Sequence, residues 1–339
     1  VREFDIVTLD RVRKISIQAD TDVWLEYAGE KGIHGAILSY LSLKKENFYM
    51  VENTVDGKFF VTARGWEDLS EILKSYEELQ VEIGEELIGE FLQKEEIARD
   101  FAGYYRLYEK YKSDYQIQEI LDGNVISGQL KTCCDMGKKA SFEERFTVTE
   151  MLLEAVTERI SSFQKTDEKT EKLYRNLKLL KVFLQEKNSV EAMEQFVASR
   201  RKALDAKICS ELLTAEEAAR EEEQIRILEE YFFQLKELHI SDVAEGIEQI
   251  GERFGNVCRL RNEKLEETKK MLEQAFSFLE ECFGEGQELL LFETGLTGDD
   301  RCSIFISQYG CPSYFKHCEL LLYSKKENEL RKECRDLLE

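Results

Sequence analysis

Residues 62–70 read Thr-Ala-Arg-Gly-Trp-Glu-Asp-Leu-Ser, and they open a segment with helical periodicity. The apolar residues of this segment lie three and four positions apart: Trp66, Leu69, Ile72 and Leu73. Such spacing places apolar side chains on one face of a helix. The pattern therefore predicts an amphipathic helix from Trp66 to Ser75 that begins just after Arg64.

The composition of the whole chain favours the same kind of structure. The 339 residues include one proline, Pro312, and only 19 glycines. Proline breaks helices and glycine weakens them, so their scarcity predicts a mainly α-helical protein. With 42% apolar and 34% charged residues, the chain has the composition of an ordered globular protein.

The net charge of −22 limits the possible partners. A surface this acidic repels phosphate backbones and anionic lipid surfaces, so we expect neither nucleic acid nor membrane as a partner. No apolar run has the length of a membrane span, and no signal peptide is recognisable, so we expect a cytoplasmic protein. The charge itself fits either a solubilising surface or an acidic docking face for a basic partner.

Local patterns and a change in composition divide the chain into five segments. Residues 20–125 predict a compact helical domain, and residues 1–19 precede it. Glycines and a lysine pair over 126–141 indicate a linker. Long amphipathic helices then predict a bundle over 142–285, followed by a small helical unit over 286–339.

Local signals place some of the elements inside these segments. Two apolar stripes, 151–163 and 173–184, predict the first two long helices, and Thr214-Ala215-Glu216-Glu217 is a capping box that starts the third. Residues 46–63 have no helical pattern and are predicted to be irregular, with a turn at Asp56-Gly57.

Most motifs of self-contained catalysis are missing from this sequence. It has no GxxxxGK[ST] phosphate-binding loop, and its three histidines are far apart. The nine cysteines are odd in number and irregularly spaced, which favours reduced thiols. A zinc site in the cluster Cys302, Cys311, His317 and Cys318 is disfavoured because the adjacent His317 and Cys318 point to different faces of a helix. We therefore assign no metal ligands.

Three segments, Leu9–Val12, Asp22–Ala28 and residues 62–70, together resemble the end of the nucleotide-binding core and the helical lid of MoxR-like AAA+ ATPases. The resemblance covers about residues 1–125. It implies a mainly α fold: an AAA+ lid domain, then a long-helix bundle and a small C-terminal helical unit. Residues 126–339 carry no resemblance that we can name.

Arg64 lies in the most specific of these matches. The family has a Pro-Arg-Ser-Trp-Glu segment at the start of a lid helix, and its arginine, called sensor 2, reaches the terminal phosphates of ATP. Ala63-Arg64-Gly65-Trp66-Glu67 is similar, with alanine and glycine in place of proline and serine. A guanidinium offers phosphate oxygens a fixed fork of donors. The resemblance implies that Arg64 is a sensor 2 residue; without it, an ordinary surface arginine is the simpler interpretation.

Arg11 occupies the second match. Leu9-Asp10-Arg11-Val12 resembles a Leu-x-x-Arg-Phe segment that closes the large ATPase domain of the family. Its arginine often acts in trans as a finger that neutralises charge on the transferred phosphoryl group of a neighbouring subunit. Arg11 is the candidate for this finger, and the nearby Arg13 is a second candidate for the same role. The alternative interpretation is that Arg11–Lys14 only form a basic turn.

The third match predicts structure and no chemistry. Asp22–Ala28 and the following Gly32-Ile33-His34 resemble the first lid helix of the family and the Gly-Ile-His-Pro after it. The Asp20-Thr21-Asp22 run supplies capping residues for that helix. We therefore interpret His34 as a residue at the start of the next helix and neither as a ligand nor as a base.

The resemblance implies that this chain, which opens on Val1, is the C-terminal part of a larger ATPase that remodels or assembles a partner protein. The full-length protein would use ATP and Mg²⁺, whereas this fragment would bind neither alone and would not be an active enzyme. The implied partners are the missing ATPase core, other AAA+ subunits and a protein with a von Willebrand factor A domain. Two alternatives remain: a nucleotide-independent helical scaffold, and an acidic regulator of a basic partner.

Overall fold

A computed structural model describes residue 11 and residues 18–54, 57–124, 127–183 and 188–321. These residues are mainly helical, which confirms the predicted fold class at that level. The family-derived predictions for Leu9, Val12 and Arg13, and the end of the predicted C-terminal unit, lie outside the described residues. Within the described ranges, no helix combines the length and the apolar character that crossing a bilayer requires.

The chain divides into two compact units. Unit 1 comprises the described residues of Val1–Ile117 together with Lys139–Met151, and unit 2 comprises those of Gln118–Lys138 and Leu152–Glu339. These limits differ from the segments expected from composition. The predicted linker 126–141 contains a helix.

Within the described part of the chain, unit 1 contains five complete helices, one hairpin and the start of a sixth helix that continues into unit 2. In chain order they are α1 (Thr21–Lys31), α2 (Gly35–Leu43), β1 (Met50–Thr54), β2 (Gly57–Val61), α3 (Ala63–Glu78), α4 (Glu85–Phe91) and α5 (Glu95–Tyr115), with a short 3-10 turn at Lys45–Asn47. Asp20 caps α1 by accepting the N–H groups of Asp22 and Val23, as the sequence predicts. Gly32 ends α1 in the left-handed region at φ 68°, which glycine adopts without strain.

The antiparallel hairpin corrects the prediction of an irregular segment over 46–63. Its strands pair from Met50 with Val61 to Thr54 with Gly57. Asp56-Gly57 lies between β-branched and aromatic residues, and such a pair is a signal for a hairpin as well as for a turn. The hairpin matters for the site because β2 leads directly into α3.

Aromatic rings fill the core of unit 1. Trp66 is fully buried, and its ring centroid lies 5.8 Å from that of Tyr40 and 5.3 Å from that of Phe101. The indole N–H of Trp66 donates to the carbonyl of Phe48 at 3.1 Å. These contacts join α2, α3 and α5, so the first turn of α3 is fixed by its own core residue.

Unit 2 is built from the remaining helices. They are α6 (Ile117–Asp122), which starts at the last residue of unit 1, α7 (Ser127–Gly137), α8 (Phe142–Phe183), α9 (Ser189–Cys209), α10 (Ala215–Glu237), α11 (Val243–Phe283), α12 (Gln287–Gly298), α13 (Asp300–Tyr309) and α14 (Pro312–Leu321). The first ten residues of α8 belong to unit 1. The capping box predicted at Thr214 is confirmed.

Helix α8 corrects the prediction of two separate helices over 151–163 and 173–184. It runs for 42 residues, because the polar stretch between the two stripes contains neither glycine nor proline and favours helix. Helix α9 was not predicted. It packs against α10, and a hydrophobic core runs along this pair and the adjoining ends of α8 and α11, with Phe196, Leu228, Tyr231 and Leu235 among its buried residues.

Candidate functional site

Arg64 lies in the first turn of α3, immediately after the hairpin. Its side chain is 88% exposed, and its described ion-pair partner is Asp68, one turn along the helix, at 3.5 Å. Thr62 caps the helix by accepting the N–H of Gly65 at 3.3 Å. The N–H groups of a first helical turn lack acceptors within the helix, so this surface offers donors and a positive charge together.

Gly65 and Trp66, the two residues after Arg64, hold the first turn of α3 in place through their contacts with α4 and the core. A Cβ atom on Gly65 would lie 2.8 Å from the carbonyl oxygen of Phe91, at the end of α4, so the approach of α4 requires glycine here. Trp66 points into the core. Arg64 thus faces the solvent, Gly65 faces the backbone of α4, and Trp66 faces the core. This follows from the rotation of about 100° per residue in a helix.

Arg11 is exposed. The residues on both sides of it lie outside the described part of the chain, so its role as a finger and its rivalry with Arg13 stay predictions. Nothing in the described contacts brings Arg11 and Arg64 together.

A groove of about 650 Å³ lies between α4 and α5. Its lining includes Gly84, Gly89 and Leu92, and its rim carries Glu85, Glu86 and Glu95. Arg99 forms ion pairs with both Glu85 and Glu95. Carboxylates at this density repel phosphate groups, so the groove does not suit a nucleotide.

His34 confirms the prediction of a helix-start residue. It is the N-cap of α2, and its Nδ1 accepts the N–H of Ala36 at 3.1 Å. Its Nε2 therefore carries the proton and donates to Glu77 at 2.8 Å. Because the fold uses both ring nitrogens, His34 has no free nitrogen for general-base chemistry or for metal binding.

Glu77 is the centre of a polar cluster that the sequence did not reveal. Besides His34, the hydroxyl of Tyr105 donates to it at 2.8 Å and the ammonium of Lys112 at 3.2 Å. Burial alone raises the pKa of Glu77, but the hydrogen bonds from His34 and Tyr105 and the charge of Lys112 outweigh burial and lower its pKa to about 2. The carboxylate of Glu77 is therefore charged at neutral pH, and three donors hydrogen-bond to its oxygens.

The cysteine and histidine residues considered for zinc occupy separate places in unit 2. Cys302 contacts Thr157 at 3.5 Å, Cys311 contacts Glu273 at 3.2 Å, and His317 contacts Glu280. Across the described ranges, no three His, Cys, Asp or Glu side chains are arranged to hold a metal ion. Burial raises the pKa of both Cys302 and Cys311 to about 12, so these thiols are poor nucleophiles.

Sequence reasoning found Arg64 and His34 because each is marked by a local pattern. It missed Glu77, Tyr105 and Lys112, which lie on two helices and are brought together only by packing. The series of tyrosines on α5 was the available signal, since buried tyrosines need partners for their hydroxyl groups.

Comparison of the chain with protein families, curated proteins and solved structures found no match. Assignment of a function therefore depends on the residues and on the geometry described above.

Proposed function

We propose that this chain is the lid and helical extension of a MoxR-like AAA+ ATPase that couples ATP hydrolysis to remodelling or assembly of a partner protein. The observation that carries the proposal is Arg64, an exposed guanidinium in the first turn of a helix that Trp66 anchors in the core. This placement suits a residue that reaches from a folded lid to the phosphates of ATP held by another domain. Arg64 then acts in cis, and Arg11 acts in trans on a neighbouring subunit.

The replacement of serine by glycine in the motif is compatible with this role. Gly65 gives α4 room to approach α3, and the neighbouring Arg64 keeps its direction toward solvent. The replaced proline corresponds to Ala63, which is the first residue of α3. Alanine favours helix at that position, so the helix begins at the same place.

The first experiment reads the DNA upstream of the Val1 codon. We expect a reading frame with GxxxxGK[ST] after a strand and an acidic Walker B strand. A start codon close upstream, with neither motif, would contradict the proposal and would favour the nucleotide-independent scaffold.

The second experiment measures ATP hydrolysis by the protein that contains the phosphate-binding loop. Arg64→Ala should lower kcat by about 100-fold, as loss of a donor to developing phosphoryl charge does, and Arg64→Lys should restore only part of the rate. Arg259→Ala is the matched control, since Arg259 is an exposed arginine paired at 3.5 Å with an acid one turn along its helix. Equal rates for Arg64→Ala and Arg259→Ala would refute the role of Arg64.

The trans role of Arg11 needs a separate test. Arg11→Ala should abolish hydrolysis in uniform assemblies, whereas Arg13→Ala should leave it nearly unchanged. In assemblies that mix Arg11→Ala subunits with subunits that cannot bind ATP, activity should return in part, because an intact finger then faces an intact nucleotide site. No recovery would place Arg11 outside the neighbour's site.

A further inference from the structure

Helices α7 and α11 of unit 2 are joined by a disulfide bond between Cys134 and Cys282. The two Cα atoms are 4.2 Å apart, and both residues are buried. The sequence predicted reduced thiols throughout, so this pair is the exception. Five other described cysteines have free thiols: Cys209, Cys258, Cys302, Cys311 and Cys318.

Close approach of the two helices depends on Gly137 at the end of α7. A Cβ atom there would lie 2.8 Å from Cε1 of Phe283 and 3.5 Å from Cβ of Cys282. Gly128, at the other end of α7, has open space around it. The cysteine pair therefore meets where α7 is docked on α11, and a side chain at 137 would have to displace the ring of Phe283.

The position of α7 in the chain makes its docking a separable event. Residues 118–138 belong to unit 2, although the chain before and after them belongs to unit 1. Side-chain contacts within unit 2 therefore hold this segment in place. One such contact is the ion pair between Arg159 and Asp122 at 3.0 Å.

We propose that Cys134 and Cys282 form a reversible thiol–disulfide latch that controls the docking of α7 on the end of α11. A disulfide-stabilised scaffold pairs most of its cysteines, whereas at least five of the described cysteines here lie outside a disulfide. The inference concerns unit 2 alone and does not depend on the proposed ATPase function.

The reaction is a two-electron thiol–disulfide exchange with a low-molecular-weight disulfide such as oxidised glutathione. One protein thiolate attacks a sulfur of glutathione disulfide, and a glutathione thiolate leaves. The second protein thiolate then attacks the mixed disulfide, which forms the Cys134–Cys282 bond and releases the second glutathione. The two protein thiols lose two protons and two electrons, and one glutathione disulfide becomes two glutathione molecules.

Docking and oxidation are thermodynamically coupled. The disulfide forms in the docked state, so oxidation stabilises docking, and docking favours oxidation by the same factor. Since both sulfurs are buried, reduction requires α7 to open locally.

The test equilibrates the purified 339-residue chain in glutathione buffers that range from reducing to oxidising. Free thiols are then blocked with N-ethylmaleimide, and protease digests are analysed by mass spectrometry. We expect a Cys134–Cys282 linked peptide in oxidised glutathione and its loss in excess reduced glutathione. Hydrogen exchange at the amides of α7 should be about tenfold faster, or more, in the reduced chain.

Two glycine variants separate the latch from general helix stability. Gly137→Ala and Gly128→Ala both raise helix propensity, but only the first places a methyl group against Phe283. Gly137→Ala should require about tenfold more oxidised glutathione for half-formation of the bond, and Gly128→Ala should not. Cys133→Ser should leave the bond intact.

Three results would overturn the proposal. Cys134 and Cys282 could both stay alkylatable at every glutathione ratio. The link could join Cys133 instead of Cys134. Exchange at α7 could be the same in the oxidised and the reduced chain.

Discussion

Glu77 in unit 1 and Glu293 in unit 2 are carboxyl groups on core-facing helices, but they differ in what surrounds them. Glu77 receives hydrogen bonds from His34, Tyr105 and Lys112, and its pKa falls to about 2. Glu293 is 2% exposed, and its Oε1 has no hydrogen-bond partner among the described residues. Burial raises the pKa of Glu293, and nearby His317 opposes this only in part.

The difference shows that donors decide the charge of a carboxyl group inside this protein. Three donors more than offset the cost of desolvating Glu77, so its carboxylate is part of the scaffold that holds α2, α3 and α5 together. Oε1 of Glu293 has no such donor among the described residues, so the charged form of Glu293 is a source of instability. The two units should therefore respond in opposite ways to removal of their carboxylates.

Glu77→Ala should have the largest effect. It leaves the donors of His34 and Tyr105 without this acceptor, while Lys112 keeps Glu109 at 3.4 Å, and we expect the free energy of unfolding of unit 1 to fall by about 3 kcal/mol. Hydrogen exchange at the amides of α3 and α5 measures this loss. Glu78→Ala, at the exposed neighbouring position, is the control and should change little. Similar losses in both variants would show that the cluster adds no stability.

Acid should erase the effect of Glu77→Ala. The folded pKa of Glu77, about 2, lies below the ordinary value of 4.5, so its stabilisation is present above pH 4.5. That stabilisation is lost as the pH falls from 4.5 toward 2. Exchange at α3 in the wild-type chain should therefore approach that of the variant across this window. A difference that persists at pH 2 would contradict the role of the charge.

Glu293→Gln should act in the opposite direction and stabilise unit 2 by about 1 kcal/mol at neutral pH. The folded pKa of Glu293 is raised, so the wild-type chain loses stability as the pH rises from the unfolded value of 4.5 through the folded pKa. Glutamine removes this loss. Exchange at the amides of α12, measured at several pH values, checks the change. Glu281→Gln, at an exposed position on α11, should leave the pH dependence intact.

Tyr105→Phe should have a smaller effect on unit 1 than Glu77→Ala. It removes one of the donors to Glu77 and leaves the ring in place, so we expect a loss of about 1 kcal/mol in unit 1. The pKa of Glu77, followed by NMR titration, should rise above 2. Tyr111→Phe on the same helix is the matched control, since no described hydrogen bond involves its hydroxyl group. An unchanged Glu77 pKa would show that Tyr105 does not contribute.

Local signals in the sequence predicted the helix boundaries well where a cap defines them. Asp20, His34 and Thr214 each satisfy N–H groups within three residues of themselves, so their roles can be read without tertiary structure. The hairpin after Phe48 could also have been predicted, because Asp56-Gly57 lies between residues that favour strands. The polar stretch inside α8 does not break the helix, contrary to the prediction of two separate helices.

Contacts between residues far apart in the chain could not be predicted from the sequence. Glu77 and Tyr105 are 28 residues apart, and Cys134 and Cys282 are separated by 148. Nine cysteines allow many pairings, and spacing alone does not select one. For the candidate site, the pattern predicted where Arg64 lies along the chain, but its exposure and the close approach of α4 at Gly65 depend on packing.

Both tryptophans of the chain, Trp24 and Trp66, lie in unit 1, and both are buried. Indole fluorescence therefore reports the unfolding of unit 1 alone, while the long helices of unit 2 dominate the far-ultraviolet circular dichroism. Tryptophan fluorescence is therefore an intrinsic probe that is specific for unit 1. Denaturation curves recorded by the two signals will coincide if the units unfold together and will separate if each unfolds on its own.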